Sequence, residues 1–390
     1  MGRVCYTIWH GFGADSGARK GRYSMKKYIA ALLALSLMLC GCTAAPAETQ
    51  PATQAPTEHT EAATEPTQEP TEPPTEEPTE PAPQFFNPLT GIPQDTPSDK
   101  RIVSVSIGNT PDAMPTHGLN QADIVFEMYV NHLATRLLAL YTDVSDVEAI
   151  GSVRSHRYHF TDISLSYDTI AAHAGGSNEV MWDTNRSGID HMNIDTSGST
   201  YYSFRDQTRK ASGYPWEHCL FAAGPGLYDL AEERGFSTSL DPEKDFGLRF
   251  AEGQALTDGA AASTVTLSFT LSGYSKVSRM TFNPDTGLYE FTQYNAPMYD
   301  GATGEPIAFR NVFVVLANTW TDSDGYHVSD ILGSGDGYFA CDGFMIPIQW
   351  HRETDTDPFT FTLADGTPLA QGVGNSYIAI APLLSAVTAE

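Results

Sequence analysis

Two neighbouring stretches decide the fold of this chain: Asp123–Val130 (DIVFEMYV) and Thr135–Tyr141 (TRLLALY). Both are short apolar runs that predict strands. The alternating run Arg101–Gly108 (RIVSVSIG) before them and the apolar run Thr169–His173 after them predict two more. Helical patterns lie between and beyond these strands, over His156–Tyr167, Asn178–Asn185 and Pro225–Arg234. Residues 87–255 are therefore predicted to form an α+β domain with a mixed sheet.

The second half of the chain changes character after the small-residue stretch Ala251–Ala262 (AEGQALTDGAAA). Turn signals such as Asp342-Gly343 and Asp365-Gly366 separate short apolar runs, as in antiparallel hairpins. Strands are predicted over Thr264–Leu271, Val277–Phe282, Tyr289–Tyr294, Asn311–Ala317, Tyr338–Cys341, Met345–Trp350, Phe359–Leu363 and Tyr377–Ala381. We expect residues 256–390 to form a mainly antiparallel, β-rich domain, so that the whole folded part is of the α+β class.

Acidic residues dominate the composition. The 390 residues include 22 Lys and Arg against 48 Asp and Glu, a formal net charge of −26. Sequence-independent nucleic-acid binders need clustered cations, and basic patches dock proteins on anionic lipid. The composition argues against both classes of protein.

The N-terminal region has the pattern of a targeting signal. Met25-Lys26-Lys27 precedes an apolar run that ends in Leu39-Cys40-Gly41-Cys42. This segment resembles a bacterial lipoprotein signal over residues 25–41, with Cys42 as the acylated residue. An uncleaved anchor helix is the alternative. Residues 1–24 are Gly-rich and unpatterned, so Met25 is the expected start of translation.

Residues 42–86 are predicted to be a disordered tether. After Cys42 this stretch carries ten Thr, ten Pro and nine Glu, with no Lys or Arg, and it has too little apolar surface to fold. At roughly 3 Å per residue in polyproline II, it could reach on the order of 100 Å. Such a spacer suits a thick cell wall, so we expect the protein on the outer face of a Gram-positive cytoplasmic membrane.

Few cysteines remain beyond the lipidation site. Only Cys219 and Cys341 fall in the folded part, and they could be paired or be two buried thiols. No Cys-x-x-Cys is present, so neither a thiol-redox site nor a Cys-type zinc site is supported. We expect no cofactor and no metal.

A series of motifs marks the first half of the folded part. In chain order they are Asn87-Pro88-Leu89-Thr90-Gly91, Gly118 to Glu127 (GLNQADIVFE), Thr135-Arg136, Gly151 to Arg157 (GSVRSHR) and His173 to Ser177 (HAGGS). In order and spacing these motifs resemble the YerB-like lipoprotein family, which is built from paired N- and C-terminal domains of unknown function. The resemblance covers nearly all of residues 87–385 and implies an extracytoplasmic lipoprotein, without implying a reaction.

This chain departs from the family pattern at several positions. The family usually has a Glu-Gly-Gly turn where Val130 to Ala134 (VNHLA) stand here, and Pro and Ala at the positions of Ser152 and His156. Its Pro-His-Asn run is replaced by Trp216-Glu217-His218-Cys219. A catalytic role for that turn is therefore not carried over to this chain.

Arginines suggest a candidate ligand site. Arg154 and Arg157 frame a predicted helix start, and Arg136 begins a strand. Helix N-termini near arginines bind anions, which favours a pocket for a carboxylate or phosphate. The alternative is that the three arginines pair with Asp123 and Glu127 and have a structural role.

Other candidate ligand-binding residues are His173, Gly175, Gly176, Ser177 and Glu127. A Gly-Gly-Ser turn between a strand and a helix could hold an anion through backbone N–H groups, or could be only a tight turn. His156 and His159 share a helix face, but the sequence offers no third metal ligand at a diagnostic spacing.

Two functional hypotheses follow. The first is a non-catalytic envelope protein that binds a cell-wall polymer or a membrane-bound wall enzyme, with Arg154, Arg157 and His173 near the contact. The second is a cell-wall hydrolase with Glu127 or Asp123 as the acid or base and His173 assisting. An anionic-ligand receptor is a weaker third, and an enzyme is the less favoured class.

Overall fold

The computed structural model describes residues 85–131 and 134–390. The predicted signal, Cys42 and the tether up to residue 84 lie outside the described residues. The predicted end of the tether at residue 86 is wrong, because Phe85 and Phe86 form a strand paired with Pro93–Gln94. The described residues form one compact unit. No helix in the described part is both long enough and apolar enough to cross a membrane.

The first half alternates strands with short helices. Its strands are β1 (Phe85–Phe86), β2 (Pro93–Gln94), β3 (Val103–Asn109), β4 (Ile124–Asn131), β5 (Ala134–Tyr141), β6 (Ile150–Gly151), β7 (Ile170–His173), β8 (His191–Asn193), β9 (Ser203–Arg205) and β10 (Leu220–Ala222). Its α-helices are α1 (Tyr158–Ser166), α2 (Asn178–Ser187), α3 (Gln207–Ala211) and α4 (Gly224–Glu233), with 3₁₀ turns at Pro111–Ala113, Leu119–Gln121, Ile194–Thr196 and Trp216–His218. The predicted strands and three predicted helices are all present, and α3 was not predicted.

The described second half consists of strands. They are β11 (Ala260–Ala261), β12 (Thr264–Leu271), β13 (Tyr274–Asn283), β14 (Leu288–Gln293), β15 (Ala296–Pro297), β16 (Ala308–Phe309), β17 (Asn311–Ala317), β18 (Thr319–Thr321), β19 (His327–Ser329), β20 (Gly333–Cys341), β21 (Phe344–Arg352), β22 (Thr360–Thr362), β23 (Ser376–Pro382) and β24 (Ala386–Ala389). The predicted Asp342-Gly343 hairpin joins β20 to β21, with positive φ at both turn residues. The α+β class is confirmed.

The central sheet takes strands from both halves. Its order is β11-β21-β20-β17-β23-β4-β5-β3-β7-β8, with β22 beside β21. The two halves meet where β23 pairs in parallel with β4. In space, the sheet thus continues across the predicted boundary at residues 255 and 256. Both halves of the chain are needed to complete the sheet. The domain boundary between residues 255 and 256 stays a prediction.

Both faces of the central sheet are covered. One face packs on a second, antiparallel sheet of order β15-β14-β13-β12-β24, with β16 beside β14, and their shared core includes Tyr129 and Phe269. The opposite face packs on α1, with Phe126 and Phe160 in a separate core. Strands covered on both faces lose the polar alternation of a half-exposed strand, which explains why β4 is almost continuously apolar.

Two buried cysteines are free. Cys219 and Cys341 are both buried and form no disulfide. This resolves the choice that the sequence left open, in favour of two buried thiols.

One charged pair joins β4 to the second sheet. The carboxylate of Glu127 is completely buried and accepts hydrogen bonds from Lys276 Nζ, Gln293 Nε2 at 2.9 Å and Tyr377 Oη at 2.7 Å. Burial lowers the pKa of Lys276, and the Glu127 charge opposes that shift. The expected partners Arg136, Arg154 and Arg157 are not bonded to this carboxylate, because Glu127 lies on the face that packs against the second sheet.

Removing one member of this pair should destabilise the fold strongly. Lys276→Met leaves the Glu127 charge buried without a cation, so we expect the free energy of unfolding in urea to fall by about 3–5 kcal/mol. The double variant Glu127→Gln/Lys276→Met removes both charges and should regain most of this loss.

The exposed pair between Arg249 and Asp245 provides the matched control. Arg249→Ala should cost less than about 1 kcal/mol. If Lys276→Met lowered the free energy of unfolding no more than Arg249→Ala does, the buried Glu127–Lys276 pair would not stabilise the fold.

Candidate functional site

A pocket of about 320 Å³ opens at one edge of the central sheet. The strands β3 and β4 end there and β5 begins there, because β5 runs antiparallel to both. In sheets with parallel strands, ligands typically bind beyond the carboxyl ends of the strands. The lining residues are Gly108, Asn109, Thr110, Asp112, Asn131, Ala134, Thr135, Arg136, Arg154, Ser155, Arg157 and His218. We call this site the arginine pocket.

The loop from Ser152 to Arg157 forms one wall of the arginine pocket and runs beside β3. Arg154 N donates to Ser106 O at 2.8 Å, and Ser106 Oγ donates to Ser155 O at 3.1 Å. Ser106 is completely buried, so this polar position of the alternating RIVSVSIG run fixes the loop rather than facing water.

All three predicted arginines line the pocket. Arg136 Nη1 donates to Ser155 O at 2.6 Å, and Arg157 Nη1 donates to His156 O at 2.7 Å. The Arg157 guanidinium also stacks 4.8 Å from the centre of the Tyr326 ring. The Nε atoms of Arg136 and Arg157 are buried and have no partner in the described part of the chain.

The arginines form no ion pair with any carboxylate of residues 85–131 and 134–390. The predicted alternative, pairing with Asp123 and Glu127, is therefore wrong. Asp123 instead accepts from Asn87 Nδ2 at 2.9 Å and from the backbone N of Thr142 at 2.6 Å. This contact anchors the start of the folded part, and it gives the Asn-Pro-Leu-Thr-Gly motif a structural role.

The electrostatics of the pocket favour an anion. Burial lowers the pKa of Arg136, and the neighbouring charges of Arg157 and Arg154 lower it further. Burial also lowers the pKa of Arg157, to about 10. All three groups remain cationic at neutral pH, so three partly desolvated positive charges share one small volume. A bound anion would relieve their repulsion.

Sequence reasoning missed several polar residues of the pocket. Asn109 and Asn131 stand at the ends of β3 and β4, and Asp112 and His218 lie on 3₁₀ turns. Burial, reinforced by the Arg154 charge, lowers the pKa of His218, so its imidazole is neutral. The sequence did mark two of these residues. Asn131 and His218 lie in the VNHLA and Trp216-Glu217-His218-Cys219 segments, which both depart from the family pattern.

The Gly175-Gly176-Ser177 turn does not line the arginine pocket. Gly175 N donates to Asn193 Oδ1 at 3.2 Å, Gly175 O accepts from His156 N at 2.8 Å, and Ser177 Oγ caps α2. These groups are thus engaged within the protein. The turn supports the Ser152–Arg157 loop from behind.

His173 is buried beneath that loop, between the buried His156 and the half-buried His191. Its ring is centred 5.0 Å from the His156 ring, and its Nε2 lies 3.1 Å from Nδ1 of His191. Burial lowers the pKa of His173 to about 3. His173 therefore packs behind Arg154 and Arg157 without facing the pocket. No group of three or more His, Cys, Asp or Glu in the described ranges is arranged to hold a metal ion.

Sulfate should stabilise the protein through the arginine pocket. At a concentration tenfold above its dissociation constant, sulfate binding adds about 1.4 kcal/mol to the free energy of unfolding. Compared with chloride at equal ionic strength, the melting temperature should therefore rise by about 3 °C. Sulfate also stabilises proteins non-specifically. The Arg154→Ala/Arg157→Ala variant should keep only that general effect, whereas Arg279→Ala, at an exposed arginine of β13, should respond like the wild type.

His159 should make stability depend on pH. Its Nε2 accepts from Ser329 N at 2.6 Å, and burial lowers its pKa to about 4. The unfolded chain protonates this histidine below about pH 6.5, so the stability present above pH 6.5 is lost as the pH falls towards 4.

His159→Gln should therefore flatten the pH dependence of the unfolding free energy between pH 6.5 and 4. The expected change is up to about 1.4 kcal/mol per pH unit, and urea denaturation at several pH values would measure it. His351→Gln, at an exposed histidine, should leave the slope unchanged. An unchanged slope in His159→Gln would contradict the assignment.

Comparison with known proteins identifies relatives of the whole folded part. Residues 89–237 match the "Protein of unknown function (DUF3048) N-terminal domain", and residues 265–378 match the corresponding C-terminal domain. The "Putative lipoprotein YerB" of Bacillus subtilis (strain 168) is 26% identical over 304 residues, which is 77% of this chain and 87% of that protein. The crystal structure of Bacillus subtilis YerB superimposes with a TM-score of 0.67 at 25% identity, covering 78% of this chain and 99% of that one. As the motifs predicted, the chain belongs to the DUF3048 family of YerB-like proteins.

Proposed function

We propose that this protein is a lipid-anchored, non-catalytic lipoprotein on the outer face of a Gram-positive cytoplasmic membrane. In this proposal its arginine pocket binds an anionic group of the cell envelope, carried by a wall polymer or by a membrane-bound wall enzyme. Lipidation at Cys42 would hold the protein at the membrane, and the Thr/Pro/Glu tether would let the folded part reach into the wall.

The anchoring part of the proposal is supported by two observations. The sequence has a signal-like segment ending at Cys42, and a relative that covers most of the chain is named as a lipoprotein. Dual acylation gives stable membrane attachment, whereas one chain gives only marginal binding.

The binding part rests on one observation above the others. Arg136, Arg154 and Arg157 converge in one pocket and form no ion pair with a carboxylate of the described chain, and two of their Nε atoms are buried without a partner there. Buried unpaired cations and donors cost free energy. A ligand that supplies negative charge and acceptor atoms would remove that cost.

We propose a non-catalytic role because neither Glu127 nor Asp123, the two carboxylates predicted as an acid or base, lines the pocket. Glu127 is fully buried against Lys276, and Asp123 is held by Asn87 and Thr142. Neither can reach a ligand bound between the arginines without breaking these contacts.

The test uses the full chain in a non-ionic detergent, incubated with purified cell-wall sacculi. We expect the wild type and Arg279→Ala to pellet with the sacculi and to release no soluble fragments. Arg154→Ala/Arg157→Ala should pellet at least tenfold less, because each lost charge-assisted contact contributes about 1.5–3 kcal/mol.

Each other outcome has a distinct meaning. Arginine-dependent release of fragments would make the protein a hydrolase. Equal pelleting of the wild type and the double variant would rule out the arginine pocket as the contact. Absence of wild-type pelleting would exclude the wall polymer as the partner.

A further inference from the structure

We infer that the arginine pocket takes a phosphate ester that also carries hydroxyl groups, such as a polyol phosphate unit. This inference rests on the proposed anion binding and names the chemical class of the ligand. Three features of the pocket carry it: its guanidinium donors, its unpartnered acceptors and its volume.

The guanidinium donors of the pocket favour phosphate over a carboxylate. The pocket brings together three guanidinium groups, and among the lining residues that the structure describes Asp112 supplies one carboxylate. Glu217 lies close enough to act on the Arg154 charge, so the pocket keeps a net positive charge. Phosphate, as a monoester or a diester, offers several oxygens to the forked guanidinium donors.

Acceptor atoms of residues that line the same pocket favour a ligand that donates as well. Asn109 is completely buried, and its Nδ2 donates to Thr135 Oγ1 at 2.9 Å. In the part of the chain that the structure describes, Asn109 Oδ1 and the buried Thr110 Oγ1 have no partner, and Asp112 is exposed at the rim. An ammonium group could donate to these atoms, but the three arginines would repel it. Hydroxyl groups donate without adding positive charge.

The volume leaves room for more than phosphate. About 320 Å³ corresponds to the liquid volume of about ten water molecules. A phosphate group has only five non-hydrogen atoms, so it fills part of this space. A three-carbon polyol attached to the phosphate would place its hydroxyl groups beside Asn109, Thr110 and Asp112.

The first experiment is calorimetric titration of the full chain, in non-ionic detergent, with glycerol 3-phosphate, inorganic phosphate and succinate. Glycerol 3-phosphate should bind about tenfold more tightly than inorganic phosphate, the gain expected from one or two added hydrogen bonds. Succinate should bind at least tenfold more weakly than glycerol 3-phosphate.

Variants separate the charge from the hydroxyl contacts. Asp112→Ala should reduce the preference for glycerol 3-phosphate to about threefold or less, while the affinity for inorganic phosphate stays unchanged or rises because a negative charge is removed. Arg154→Ala/Arg157→Ala should weaken both phosphates about a hundredfold. Arg279→Ala should bind all three anions as the wild type does.

Failure of this inference can be told apart from failure of the proposed function. The inference is overturned if inorganic phosphate or succinate binds as tightly as glycerol 3-phosphate. If that binding is lost in Arg154→Ala/Arg157→Ala, the proposed anion pocket still stands. No binding of any of the three anions also overturns the inference, and the pelleting of sacculi then decides the proposed function separately.

Phosphate esters that carry hydroxyl groups occur in wall-linked polyol phosphate polymers and in glycerophospholipid headgroups. Hydrofluoric acid cleaves phosphodiesters, so sacculi treated with it should lose arginine-dependent pelleting if the wall polymer is the source. Arginine-dependent binding to phosphatidylglycerol vesicles would assign the headgroup instead. Full pelleting with treated sacculi would overturn the inference.

Discussion

The parallel pairing of β4 with β23 is the constraint on which the rest of the structure depends. Residues Ile124–Met128 lie beside Ser376–Ile380 at the centre of a sheet that neither half of the chain completes alone. Contacts in this region, such as that between Glu127 and Tyr377, join residues 250 positions apart. Because loop closure opposes such distant contacts until they form, a sheet of this kind is expected to assemble slowly.

Buried polar contacts reinforce this pairing. The Glu127 carboxylate joins β4 to β13, β14 and β23. On the opposite face, the almost fully buried Arg352 of β21 donates to Ser166 Oγ and to Asp162 O, near the end of α1. Unpaired charges at either position would be costly, so these contacts favour the observed pairing of the two halves over other arrangements.

The same sheet creates the candidate site. The strands β3, β4, β7, β17 and β23 all end at the edge where the arginine pocket opens. The folded part carries a strongly negative net charge, yet three of its few arginines converge there and form no ion pair in the described chain. A local positive field within an acidic protein would attract anions to this edge while the remaining surface repels them.

The sequence by itself determined the element types and the three arginines, because both are local properties. Hydrophobic periodicity and Asp-Gly turns depend on neighbouring residues, and arginines beside a helix start predict an anion site wherever that helix packs. Only the tertiary structure decided that β23 inserts beside β4, and that Asn109, Asp112 and His218 join the pocket while Glu127 and His173 lie elsewhere. Strand order and side-chain partners are set by contacts between residues far apart in the chain. A single sequence carries no local pattern for such contacts.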